Sequence, residues 1–135
     1  MLLLIQYTIL FASILILVAL GGCFSERSGV INLGLEGIMV MGAMGGALTM
    51  RFLPSDIPAI LMILAVVVIS VLTGLIYSTL LGVAAIHFKA DQTIIGTAMN
   101  MLGLAAATVI VKAINIAANP DDVSSNVQYV EEKKA

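Results

Sequence analysis

The sequence predicts an all-α fold, a polytopic membrane helix bundle with about four transmembrane segments and a broken second helix. Of its 135 residues, 61% are hydrophobic and only 10% are charged, and its mean hydropathy is +1.14. A soluble domain is roughly half apolar and about a quarter charged. Several apolar runs also reach the length of about 18 residues at which a helix can cross a bilayer. The main solvent of this chain is therefore predicted to be membrane lipid.

Run length sets the predicted segments. The first run has the span of about 30 Å that one bilayer core requires at about 1.5 Å per residue. The second run is too short if it begins at residue 38, so it must include residues 30–37. The third run has no acidic or basic residue, and the fourth has one lysine, Lys112, near its end. The predicted segments are 2–22, 30–52, 57–86 and 93–117. Residues 1–118 are then a transmembrane domain, and residues 119–135 are a polar tail or the start of a loop outside the membrane.

The densest polar cluster lies between the first two runs, in "CFSERSGVINLGLEG" at residues 23–37. Ionisable groups at membrane depth are costly, so they pair, face a cavity or lie at the interface. One interpretation is an ordinary surface loop. The other is irregular backbone from Gly29 to Gly37 that lines a water-filled path, as in the broken helices of transporters. The candidate residues are Asn32, Glu36, Glu26 and Arg27, with Gly29, Gly34 and Gly37 as backbone-break glycines.

Length favours the buried interpretation for Asn32 and Glu36 and the surface interpretation for Glu26 and Arg27. Asn32 and Glu36 are four residues apart, so on a helical turn they would share one face.

Other function classes find little support. The net charge is −2 and no basic stretch exists, which argues against binding to nucleic acid. Cys23 is the single cysteine and His87 the single histidine, so no metal site is predicted. No GxxxxGK[ST] loop is present, and no cofactor is expected. Asp91 precedes the fourth run and is predicted to be a helix cap, or secondarily a gate.

Small residues recur at helical spacing and predict close approach of helix backbones. We expect them to pack within one bundle, with homodimerisation as the minor alternative. The three ladders are Gly42 with Gly46, Gly74 with Ser78 and Gly82, and Gly103 with Ala107.

Two blocks of the sequence resemble a known family. "GGCFSERSGVINLGLEGIMVMGA" and "HFKADQTIIGTAMNMLG" are similar to two signatures of the permease subunits of nucleoside ABC importers. These permeases belong to the broader group of ribose-type and branched-chain amino-acid permeases. The first block matches at the candidate residues named above, and the second block at Lys89, Asp91, Gly96 and Asn100. The resemblance adds Asn100 to the substrate-path candidates.

The resemblance implies a multi-pass protein of the bacterial plasma membrane, the cell inner membrane, with its N-terminus and its tail outside. It implies a nucleoside as substrate, and as partners a second permease chain, a cytoplasmic ATPase subunit that hydrolyses ATP and an external substrate-binding lipoprotein. The family's permeases are considerably longer, and their docking loop for the ATPase has no counterpart here. The chain therefore resembles an N-terminal portion. Two alternatives stay open: a non-transporting assembly protein or truncated remnant, and a sugar or branched-chain amino-acid permease.

Overall fold

The computed structural model describes residues 1–54 and 57–121, and this part of the chain contains four long α-helices and no strand. The fourth helix follows a π-helical turn, Val83–His87, that continues the third. The predicted all-α bundle is confirmed. From residue 122 onward the predicted tail lies outside the described residues. The helices are α1 (Leu2–Arg27), α2 (Leu35–Phe52), α3 (Ala59–Gly82) and α4 (Gln92–Ala118).

Three of these helices are long and apolar enough to cross a membrane: α1, α3 together with its π-helical turn, and α4. Helix α2 is not among them: its 18 residues are less apolar, with Glu36 in the first turn, Arg51 in the last and four glycines between them. At about 1.5 Å per residue it covers roughly 27 Å, slightly less than a bilayer core. The predicted second segment, 30–52, is thus helical only from Leu35, and the non-helical residues before it must supply the remaining depth.

Helix α1 is longer than predicted. It continues past residue 22 to Arg27, so that Glu26 and Arg27 lie in its last turn and not in a loop. Residues 23–27 contain neither glycine nor proline, so nothing in the sequence interrupts the helix before Gly29. The cation at Arg27 is favourably placed at the negative end of the helix dipole.

Helix α2 lies at the centre of the fold and packs against α3 and α4, whereas among the described helices α1 contacts only α2. No residue of α1 is buried. Tyr77, Leu81 and Met99, from α3 and α4, form a cluster of buried apolar side chains. Ala107 and Val111 of α4 are buried as well. The three later helices therefore form a compact unit, with α1 attached at one end.

The small-residue ladders mark the helix crossings, with one exception. A β-carbon at Gly42 would lie 3.3 Å from the main-chain oxygen of Ser70, and one at Gly46 would collide with the Ser70 hydroxyl. Gly103 lies against α2, since a β-carbon there would lie 2.8 Å from Gly37 Cα. At Gly82, by contrast, no described atom would lie within 4 Å of a β-carbon, so this position does not contribute to packing in the described part of the chain.

Candidate functional site: the break before helix α2

The polar cluster contains a short non-helical break between α1 and α2. Ser28 ends α1, and Gly34 is the residue that precedes the first turn of α2. Gly29 has φ +87°, in the left-handed region that glycine enters without steric cost. The break, residues 28–34, is therefore irregular backbone next to helices of membrane-spanning length.

Two side chains of α4 satisfy the backbone of the break. Gln92 Oε1 accepts a hydrogen bond from the Ile31 amide at 2.8 Å. Asn100 bonds on both sides: its Nδ2 donates to the Leu33 carbonyl at 2.9 Å and its Oδ1 accepts from the Gly37 amide at 2.8 Å. Irregular backbone at membrane depth requires such protein partners, because lipid offers none.

Side chains near the break supply two further bonds. Ser25 donates its hydroxyl to the Val30 carbonyl at 2.8 Å. Asn32 Oδ1 accepts from the Gly34 amide at 3.1 Å, which is a local side-chain turn of the kind that asparagine favours. Among the described residues, Nδ2 of Asn32 donates to no protein acceptor, so this half-buried side chain keeps its donor group for another partner.

Glycines allow the break and the start of α2 to lie close to α4. A β-carbon at Gly96 would lie 2.7 Å from Leu33 Cβ, and one at Gly37 would lie 2.6 Å from the Met99 carbonyl oxygen. The buried Tyr77 of α3 donates its hydroxyl to that same oxygen at 2.7 Å. Helices α2, α3 and α4 therefore meet at Met99, directly beside the bonds that Asn100 makes.

Two sequence-based predictions are wrong: the break at Gly37, and the shared helical face of Asn32 and Glu36. Gly37 does not interrupt the backbone, because it lies inside α2 and serves the close approach to α4. Asn32 lies before the helix begins, so it does not share a helical face with Glu36. Glu36 is exposed in the first turn of α2, where a carboxylate is favoured by the helix dipole.

The other candidates lie in different surroundings. Glu26 and Arg27 are exposed at the end of α1. Asp91 caps α4, since its Oδ1 accepts from the amides of Thr93 at 2.8 Å and Ile94 at 3.4 Å. No group of three or more histidine, cysteine, aspartate or glutamate side chains in residues 1–54 and 57–121 could hold a metal ion.

Sequence reasoning missed two residues of this site, Gln92 and Tyr77. A signal existed for Tyr77, because a phenol hydroxyl within an apolar run needs a hydrogen-bond partner. Gln92 follows Asp91 in the second signature block and was assigned no role there. Its bond to Ile31 joins positions 61 residues apart, which spacing alone does not reveal.

Comparison with known proteins identifies a family and individual relatives of this chain. Residues 4–130 match the family described as branched-chain amino acid transport system / permease component. The chain is 44% identical over 116 residues to the guanosine ABC transporter permease protein NupQ of Bacillus subtilis, a match that covers 86% of this chain and 36% of that protein. It is 35% identical over 97 residues to the nucleoside ABC transporter permease protein NupC of Lactococcus lactis, covering 70% of this chain and 29% of that protein. No solved structure matches the chain.

The chain thus spans about a third of the length of these relatives. Its three helices of membrane-spanning length and its permease relatives make it a multi-pass protein of the bacterial plasma membrane. The family match covers nearly all of its residues. The chain belongs to the family of permease components of the branched-chain amino acid transport system.

Proposed function

We propose that this chain contributes the N-terminal part of the translocation path in an ABC importer of nucleosides. The observation that carries the proposal is the break before α2, where irregular backbone is tied to α4 and presents Asn32 and Glu36. The two relatives described as guanosine and nucleoside permeases support nucleosides over sugars or amino acids as the substrate class.

The chemistry of the two side chains fits a neutral nucleoside. Asn32 has a free amide donor that can bond to ring nitrogens or carbonyl oxygens. Glu36 is an exposed carboxylate that can accept from ribose hydroxyls. A carboxylate facing lipid would be costly, so its exposure favours a hydrated path on this side of α2.

The rest of the proposed machinery lies on other chains. A second permease chain completes the path, an external lipoprotein delivers the nucleoside, and a cytoplasmic ATPase subunit supplies the energy. The sequence has no phosphate-binding GxxxxGK[ST] loop, which supports ATP hydrolysis on that separate subunit. The two faces of the path open alternately. In this arrangement Glu26 and Arg27 lie at one mouth of the path.

Uptake of radiolabelled nucleoside by cells that carry the complete transporter tests the proposal. Asn32→Leu and Glu36→Gln should each lower uptake by more than about tenfold at unchanged membrane abundance. The first removes a hydrogen bond to the substrate, and the second replaces the charged acceptor by a weaker neutral one. Met39→Leu is the matched control: Met39 is also exposed on α2, and this apolar exchange should leave uptake unchanged.

Normal uptake by both variants would show that the break does not line the path. Competition of nucleoside uptake by unlabelled ribose or leucine, with no competition by other nucleosides, would instead support a sugar or amino-acid permease.

A further inference from the structure

We propose that Gln92 and Asn100 are positioning residues, which hold the break in the geometry that presents Asn32 and Glu36 to the substrate. This inference rests on the proposed function, because it assigns a role to residues that act on the same path. Neither side chain needs to touch the nucleoside. Both act through the main chain of residues 31–37, which we call the clasped segment.

Asn100 makes the more demanding contact. Its side chain bonds to a carbonyl before the first turn of α2 and to an amide within that turn, at Leu33 and Gly37. The bonds bracket the point at which irregular backbone becomes helix. Since Glu36 lies between the bracketed positions, the direction of its side chain depends on this bond pair.

Gln92 fixes the other end of the clasped segment through the Ile31 amide. Gln92 and Asn100 are eight residues apart on α4, which is about 12 Å along the helix. Two anchors at this separation define both the position and the direction of the chain between them. Asn32 lies between the anchors, and its side chain closes the turn onto Gly34.

The amide group is required at Asn100 because the two bonds need one donor and one acceptor. An aspartate keeps the acceptor for Gly37 but offers no donor to Leu33. A leucine of similar size offers neither, and leaves two main-chain groups without their partner. The substitutions therefore form a graded series with little change in volume.

A purely structural role predicts a different outcome from a positioning role. Loss of structure lowers the amount of transporter in the membrane and with it the maximal uptake rate. Loss of positioning leaves assembled transporters that bind the nucleoside less well, which raises KM. The ratio of the two effects separates the two roles.

The experiment uses the complete transporter in lipid nanodiscs for hydrogen exchange and in cells for uptake. In Asn100→Leu and Gln92→Leu, the amides of the clasped segment should exchange on the order of tenfold faster, while those of α3 keep their protection. The KM for radiolabelled guanosine should rise by roughly tenfold, with maximal uptake per transporter changed less than about twofold. Asn100→Asp should give intermediate values.

Thr108→Val is the matched control on the same helix. Within residues 1–54 and 57–121, the Thr108 hydroxyl bonds only to carbonyls of its own helix, Leu104 at 3.0 Å and Ala105 at 2.8 Å. This variant should change neither the exchange of the clasped segment nor KM. If Asn100→Leu fails to assemble, Asn100→Asp and Gln92→Leu provide the same comparison.

Unchanged exchange in the clasped segment would overturn the inference, and so would faster exchange with an unchanged KM. Failure of the proposed function gives a different pattern: Asn32→Leu and Glu36→Gln would then transport normally, whatever the exchange rates show. The two proposals can therefore fail separately.

Discussion

The crossing of α2 and α4 at Gly103 offers the sharpest test of the packing. A β-carbon at this position would lie 2.8 Å from Gly37 Cα and 3.0 Å from the Gly37 carbonyl oxygen. Both are main-chain atoms of a helix, so neither can rotate away as a side chain could. Gly103→Ala therefore adds one methyl group at a place where only a shift of a whole helix can make room.

The size of the effect follows from these distances. Ordinary contact begins near 3.4 Å, so α2 and α4 must separate by about 0.6 Å. Overpacking of this kind costs about 1–3 kcal/mol. The separation also stretches the 2.8 Å bond from the Gly37 amide to Asn100. Against this, exchange of glycine for alanine in a helix gains about 1 kcal/mol of helix propensity.

Gly82→Ala isolates the propensity gain, because no described atom lies within 4 Å of the added methyl group. We expect Gly103→Ala to be less stable than Gly82→Ala by about 1–3 kcal/mol. Equilibrium unfolding by SDS in mixed micelles, followed by far-UV circular dichroism, measures the difference. Equal stability of the two variants would refute the close crossing at Gly103.

Two further predictions concern orientation and the three-helix junction. The resemblance puts the end of α4 outside the cell. In a Cys23→Ala background, Asn119→Cys should therefore react with a membrane-impermeant thiol reagent on intact cells, and Ala90→Cys should react only after permeabilisation. The opposite labelling pattern would show the inverted topology. Tyr77→Phe removes the 2.7 Å hydrogen bond to the buried Met99 carbonyl and should lower the free energy of unfolding by about 1 kcal/mol. A free energy of unfolding equal to that of the unchanged chain would mean that this bond is not formed in the membrane.

Much of the fold is predictable from the sequence because the bilayer imposes run length. The four predicted segments correspond to four helices, and irregular backbone was expected near Gly29. Boundaries were less accurate, as at α1, which continues to Arg27. Amphipathic periodicity gives no help there, since α1 buries no residue and is apolar on every side.

The site was only partly predictable, because its bonds join distant positions. Asn32 and Glu36 stood out as polar residues among glycines, but the helix start at Leu35 separates them, and spacing alone does not locate that start. A side chain at Gly37 would collide with the main chain of Met99 in another helix. The local sequence around Gly37 does not predict this contact. Gln92 and Asn100 bond to main-chain amides and carbonyls. Since nearly every residue carries these groups, the sequence does not mark which of them a distant side chain will bond.

The dependence of the break on α4 has a consequence for the order of biosynthesis. The amide of Ile31 and the carbonyl of Leu33 are made 61 and 67 residues before the side chains that satisfy them. At translation rates of about 5–20 residues per second, this interval lasts roughly 3–13 s. We expect α1 to enter the bilayer unaided during that time, while α2 waits beside the translocon until Gln92 and Asn100 emerge. Ribosome-bound chains that end before Gln92 should then keep residues 31–37 accessible to protease, and protection of those chains would show that α2 inserts alone.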